Sequence, residues 1–363
     1  MEREELAAWL RLTLTPGIGN EAARKLLAAF GPPEAVFAQS ATALRQVVSA
    51  LQTSALQNPP DTLGAQTQTT LDWLAAGDHR QVLPLGAPGY PQALLQIEDP
   101  PLVLYALGNH PLNSTTPALA MVGSRNPTPQ GAANARHFAR SFSDAGLTIV
   151  SGLALGVDGA AHTGALEGPS PTVAVVGTGL DKVYPKQHLE LAHRIAARGV
   201  IVSEFPLGTP PLSHNFPKRN RIISGLSQGT LVVEAALQSG SLITARLAIE
   251  QGKDVFAIPG SIHAAQSRGC HALLKQGAKL VESAQDVLEE LRLFAPEKGA
   301  NYLDKTSATG TNDAENGLLV ALGHDPVSLD ALQARTGLPT ASLQGQLLEL
   351  ELAGQVARLP GGL

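Results

Sequence analysis

A chain of 363 residues has room for two or three domains, and 44% hydrophobic with 16% charged residues is an ordinary globular composition with ample core. Its net charge of −5 excludes a protein coated in positive charge, so any nucleic-acid contact must rest on a local basic patch. Cys270 is the sole cysteine, which excludes an internal disulfide and a cysteine-cluster zinc site. The start, MEREELAAWL, lacks the basic segment and apolar core of a signal peptide, and no apolar run is long enough to span a bilayer. A cytoplasmic location without membrane contact is therefore expected.

Residues 1–75 read as a small domain of short helices. The turn Thr15-Pro16-Gly17-Ile18-Gly19-Asn20 leads into an apolar-periodic helix (Ala22, Ala23, Leu26, Leu27, Phe30) that stops at Gly31-Pro32-Pro33. Such a turn can offer main-chain N–H groups to a DNA backbone. The preferred reading is a module for protein contacts, with glycines needed only for the turn. Ala50 to Thr70 is rich in Gln and Thr, carries Pro59-Pro60, and reads as a loosely ordered connection.

From residue 80 to 295 the pattern changes. Short apolar runs recur, each followed by a small-residue turn and a helical segment: Ala118 to Val122, Leu147 to Val150, Thr172 to Val176, Val200 to Val202, Thr230 to Val233, Asp254 to Ile258 and Ala278 to Val281. They are apolar on both faces, as strands of a buried parallel sheet must be. Gln130 to Ala145 and Gln187 to Arg198 suit crossover helices. This is the pattern of a doubly wound α/β domain. Residues 296–315 are polar and turn-rich and read as a linker. Residues 316–363 return to helix, with Ser328 to Thr336 and Thr340 to Leu352 the clearest segments, and suggest a winged helix. Its last long helix carries Glu349 and Glu351 and no lysine or arginine, the reverse of what a groove reader needs. A protein-interaction or structural role is expected there.

In a doubly wound sheet, ligands bind beyond the carboxyl ends of the strands. Those ends carry Gly123-Ser124-Arg125, Ser151-Gly152, Gly177-Thr178-Gly179, Ser203-Glu204 and Glu234. Small residues let main-chain N–H groups point at an anion, and Arg125 adds a fork of donors suited to phosphate. The stretch Phe216 to Ala245 concentrates charge: Lys218, Arg219 and Arg221 come with no acidic residue before Glu234, and Ser239-Gly240-Ser241 opens a second helical pattern. It reads as a cationic loop built to hold phosphates. Two roles stay open for Phe216, a ring that stacks on a base and a plug for the core beneath the loop.

Several motifs fail. In Gly177-Thr178-Gly179, Lys182 stands where a dinucleotide fingerprint needs its third glycine, and Gly252-Lys253 is followed by Asp254 rather than completing a P-loop. Asp158 and His162 are four apart, but a metal would need a third ligand, and a structural hydrogen bond near a helix start is the better reading. No nucleophile triad is evident, so no cofactor, no metal and no catalytic residues are expected. The alternative to a binding protein is a nucleotide-processing enzyme of the nucleotide N-glycosidase kind, for which Gly229-Thr230 and Glu234 give a superficial match. A nicotinamide-dependent oxidoreductase is disfavoured by the broken fingerprint.

Gly123-Ser124-Arg125, SGLALGVDGAAHTGAL from Ser151, VVGTGLDKVYPKQH from Val175 and the long stretch Ser203 to Gly260 closely resemble the DNA-processing protein A family, also called Smf. The resemblance implies an extended Rossmann domain flanked by a sterile-alpha-motif-like or helix-hairpin-helix-like N-terminal domain and a C-terminal winged helix. It implies single-stranded DNA binding without sequence preference, protection of incoming strands, dimerisation through the Rossmann domain, contact with single-strand-binding protein, and loading of the RecA recombinase in natural transformation. By the same resemblance Arg125, in its Gly123-Ser124-Arg125 motif, contacts phosphate. Phe216, Lys218, Arg219, Asn220 and Arg221 line the DNA groove, and Gly177, Ser239, Gly240 and Ser241 form small-residue turns around it. Some members have a lysine a few residues before the aromatic, where this chain has Ser213 and His214.

Overall fold

Most of the apolar runs become strands whose two faces are both covered. In a computed structural model, which describes residues 2–291 and then 318, 321–322, 327–352 and 356, nine strands form one sheet. In chain order they are β1 (Arg80–Pro84), β2 (Val103–Gly108), β3 (Ala118–Val122), β4 (Thr148–Ser151), β5 (Thr172–Val175), β6 (Val200–Ser203), β7 (Gly229–Val232), β8 (Asp254–Ala257) and β9 (Lys279–Leu280). Their spatial order is β1-β2-β6-β5-β4-β3-β7-β8-β9. From β3 the chain steps outward through β4, β5 and β6 on one side and through β7, β8 and β9 on the other. All these pairings are parallel, with Leu119 opposite Gly229 across the β3–β7 seam. The order reverses at that seam, which makes it the topological switch point. The pattern of runs does not single out β1 and β2. They pair antiparallel with each other, and β2 pairs antiparallel with β6, so the doubly wound sheet is mixed at one edge.

Helices cover both faces. Helices α7 (Pro129–Asp144) and α8 (Val157–Ala165) pack Ala135, Phe138, Phe142 and Ala161 against Leu119, Met121, Ile149 and Leu231. The start of α7 is set by Thr128, whose hydroxyl accepts from Gly131 N at 3.0 Å, with Pro129 in the first position. On the opposite face α10 (Asn215–Gly225), α11 (Ser241–Glu250) and α12 (Arg268–Lys275) bring Ile222, Ile223, Ala245, Ala248 and Leu273 onto Ala120, Val150, Val175 and Val232. Between them in the chain, α9 (Leu189–Arg198) packs Ala192 and Ile195 beside Ala174 and Ile201.

The N-terminal segment holds six helices, α1 (Arg3–Leu14), α2 (Asn20–Phe30), α3 (Pro33–Phe37), α4 (Ala41–Leu44), α5 (Ala50–Gln57) and α6 (Leu63–Ala75). Their apolar cluster is shared with Val82, Val103 and Tyr105 of the edge strands. One expectation is corrected. Ala50 to Thr70 is no loose connection but most of α5 and α6. A capping box of Ser49 and Gln52 starts α5. Thr53, Thr67 and Thr70 are buried, each hydroxyl donating to the carbonyl four residues back. Threonine satisfied in this way serves as an apolar residue, which a count of polar side chains misses.

Packing divides the chain into two units, Met1–Phe294 and Ala295–Leu363. In the second, Leu318, Leu332, Leu343 and Leu350 form a small core around α13 (Leu329–Thr336) and α14 (Thr340–Leu352). The expected linker, 296–315, lies outside the described residues.

Candidate nucleic-acid interface

At the switch point a cleft of about 490 Å³ opens beyond the carboxyl ends of β3 and β7. Its walls are Gly123-Ser124-Arg125 after β3, the first turns of α10, and Ser239-Gly240-Ser241 at the start of α11. The turn after β3 is held from two sides: Ser124 N donates to Glu234 O at 2.7 Å, and Val157 N donates to Ser124 O at 3.0 Å. Gly123 has no room for a side chain there, since a Cβ would sit 2.7 Å from Val157 Cγ2 and 2.8 Å from Glu234 O. Arg125 follows this clamped turn into solvent. Its guanidinium lies 5.8 Å from the Phe216 ring centroid, and among the described residues no carboxylate pairs with it.

The expected cationic loop is a helix. Pro217 falls in the first turn of α10, where its missing N–H is no loss, and the residues after it wind inward. Arg219 is 4% exposed and donates through Nη1 to the carbonyls of Gly152 and Val175, while Nε reaches Asn220 Oδ1 at 3.2 Å. A Cβ on Gly152 would collide with that guanidinium. Arg221 is paired with Glu204 by two 2.6 Å bonds, and its Nε donates to Asp99 O at 2.8 Å beside Asp99 Oδ2. Arg221 is therefore spent inside the protein, while Arg219, bonded through Nη1 and Nε, is buried in the cleft wall. Lys218 remains, half exposed, its Nζ 3.8 Å from Glu204 Oε2.

Phe216 packs on one side and borders the cleft on the other. One edge rests on Gly177, where a Cβ would approach the ring to 3.2 Å, and Asn215 Nδ2 pins the same glycine's carbonyl at 3.0 Å. Gly177 is thereby buried beneath the ring and is not on the cleft wall. The ring is half-buried and borders the cleft, close to Arg125.

The cleft floor holds charge the sequence reading did not assign to it. Asp158 is 7% exposed, lines the cleft, and accepts from Ala154 N at 3.2 Å. Burial pushes its carboxyl above the usual range, and the charge of Arg219 pulls part of that back. Burial in turn lowers Arg219 to about 10, opposed by Asp158 and reinforced by Arg125. Asn220 stands between them and Gly240, its Nδ2 3.5 Å from Gly240 O. At the far wall Ser239 and Ser241 hydroxyls bond each other at 2.7 Å, and the N-terminus of α11 adds its dipole. Asp158 and Thr244 were legible only as helix residues; nothing local says that they face a cleft.

The alternative enzyme constellation is not assembled. Gly229-Thr230 begins β7 and Glu234 follows its other end. The Glu234 carboxylate is engaged by Thr128 N at 2.9 Å and by the Thr128 hydroxyl, at the start of α7.

A family model described as DNA recombination-mediator protein A matches residues 81–292, and one described as DprA winged helix domain matches residues 304–362. Protein Smf of Escherichia coli is 43% identical over 300 residues, covering 81% of this chain and 79% of the relative. The DNA processing protein DprA of Streptococcus pneumoniae is 49% identical over 201 residues, 55% of this chain and 71% of the relative. The X-ray structure of the Streptococcus pneumoniae protein superposes with a TM-score of 0.64 at 35% identity, covering 80% of this chain and 98% of that one. DNA processing protein A from Helicobacter pylori, solved for its single-stranded DNA binding mode, superposes with a TM-score of 0.53 at 33% identity, covering 59% of this chain and 96% of that one. With the sheet, the switch-point cleft and these matches together, the chain belongs to the DNA recombination-mediator protein A family.

Proposed function

We propose that the protein binds single-stranded DNA across the switch-point cleft without sequence preference, and that it protects incoming strands and loads RecA onto them in natural transformation. The observation that carries the reading is the pairing of an uncommitted, exposed Arg125 with the half-buried Phe216 on one lip of a cleft whose other lip is a helix start. A guanidinium that no carboxylate neutralises follows a phosphate backbone, a ring offers its face to a base, and neither selects a sequence. Lys218 adds a second point of charge on the same helix. The Helicobacter pylori relative supports single-stranded DNA as the polymer. RecA loading, contact with single-strand-binding protein and dimerisation through the sheet domain rest on family resemblance. The protein acts by binding, without a catalytic step.

The test is a salt-titrated comparison of single- and double-stranded oligonucleotides on the full chain. Single strands of unrelated sequence should bind alike, more tightly than duplex, with affinity falling as salt rises. Arg125→Ala should weaken all of them together. Equal binding by Arg125→Ala and wild type would remove the cleft from the reading.

A further inference from the structure

Tyr184 is, among the described phenylalanines, tyrosines and tryptophans, the one that is exposed: 49% of it faces solvent, whereas every other ring in that set is buried or half-buried. It sits in the loop that leaves β5 and reaches α9, between Lys182 and Lys186, neither of which pairs with a carboxylate among the described residues. The ring is not isolated. Its centroid lies 5.5 Å from that of Phe216 at an interplanar angle of 42°. Phe216 borders the switch-point cleft. Tyr184 borders a second hollow of about 390 Å³, walled by Trp73, Leu189 and His193 with Arg80, Asp181 and Lys182 at its polar part. The two aromatics, one on each lining, therefore form a bridge between two cavities that share no lining residue.

We infer that Tyr184 is a second stacking platform, and that a bound single strand leaves the switch-point cleft over Phe216 and places its next base on Tyr184 at the mouth of the second hollow. The inference rests on the reading that single-stranded DNA is the ligand. The physical case is the combination of features on one path. An exposed ring flanked by lysines is what a sequence-tolerant single-strand surface uses, the ring for a base face and the charges for the backbone. The tilted contact with Phe216 holds Tyr184 upright while leaving much of it in solvent. The second hollow is largely apolar but has aromatic and charged groups at its margin, so it can receive a splayed base and still let the phosphates stay wet. Sequence reading passed over Tyr184 because it lies 32 residues from Phe216 in the chain, and only the β5 loop and the start of α10 bring them together.

The experiment compares wild type with Tyr184→Ala, Tyr184→Leu, Tyr184→Phe and Tyr184→Trp in binding single-stranded oligonucleotides. Tyr184→Ala and Tyr184→Leu should each lose about 5-fold or more in affinity, while Tyr184→Phe stays near wild type, because the ring face and not apolar bulk is required. That factor should persist across the salt titration, in contrast to Arg125→Ala, whose effect should shrink as salt rises. Emission from Tyr184→Trp should be quenched by single strands and not by duplex. The inference is overturned if wild type binds single strands and Tyr184→Leu binds them equally, or if Tyr184→Trp binds them with unchanged emission. If wild type itself fails to bind single strands at low salt, the functional reading falls first and this inference with it.

Discussion

The cations gathered around α10 and the turn after β3 fall into two groups that behave oppositely. On the inner side of α10, Arg219 and Arg221 are buried, with Arg219 Nη1 bonded to Gly152 and Val175 and Arg221 bonded to Glu204 and Asp99. On the outer side, Arg125 and Lys218 are exposed, Arg125 without a carboxylate and Lys218 at 3.8 Å from one. In sequence all four are cations near glycine-rich turns. The difference teaches that positive charge recruits an anion only where the fold leaves it uncompensated. A buried guanidinium instead ties strand ends together, and here Arg219 and Arg221 clamp α10 against the ends of β4, β5 and β6, so that Phe216 and Lys218 are held at the cleft.

Breaking the inner side should cost most. Arg221→Met leaves the Glu204 carboxylate, 6% exposed, without its bidentate partner, and loss of about 3–5 kcal/mol in denaturant unfolding is expected for such a broken buried pair. A loss under about 1 kcal/mol would mean the pair is not structural. Arg219→Met orphans two carbonyls, with a cost of about 1–3 kcal/mol for each unsatisfied group. A double variant of both arginines should unfold rather than report on DNA, so it cannot test the cleft.

The pH response sharpens the same contrast between sealed and open polar groups. Thr172 donates its hydroxyl to Ile149 O at 2.7 Å, so its oxygen accepts from His162 Nδ1 at 2.8 Å, and the buried Nε2 keeps a lone pair without a partner. Burial, then the charges of His188 and Arg219, lower this imidazole from 6.5 to about 3. The folded value lies below the unfolded one, so the unfolded chain binds more protons between them. Stability should therefore fall as pH drops through that window, by at most about 1.4 kcal/mol per pH unit from this group. Thermal unfolding of His162→Asn should show a shallower decline over the same range; an identical slope would assign the acid sensitivity elsewhere.

The smallest effect on stability belongs to the rim. Arg125→Ala should change unfolding free energy by no more than about 0.5 kcal/mol, yet lower the slope of log affinity against log salt by about one. Lys218→Ala should do the same more weakly, since Glu204 already claims part of its charge. If Arg125→Ala instead unfolds the protein, the division between inner and outer cations is wrong.

Much of the architecture was legible. The seven apolar runs are seven parallel strands because residues apolar on both faces have no other comfortable place. Arg125 and Ser239-Gly240-Ser241 meet at one cleft because glycine and serine after parallel strands mark the ligand end of such a sheet. The edge strands β1 and β2 were missed, β1 ending in Pro84 and both lying outside the alternation of run, small-residue turn and helix. The helical identity of Ala50 to Thr70 was missed because its threonines hide their hydroxyls in their own helix backbone. The burial of Arg219 and Arg221 was invisible because their partners lie 17 to 122 residues away.

By itself the sequence determined the doubly wound class, the end of the sheet at which the cleft opens, and the family, since hydrophobic period and turn chemistry are local and survive reading along the chain. Only the tertiary structure decided which cations face solvent, that Gly177 is buried beneath Phe216, that Asp158 lines the cleft, and that Tyr184 joins Phe216. Those outcomes depend on groups brought together across long chain separations, where compensation of charge and exposure of a ring are properties of the packed surroundings rather than of the residue.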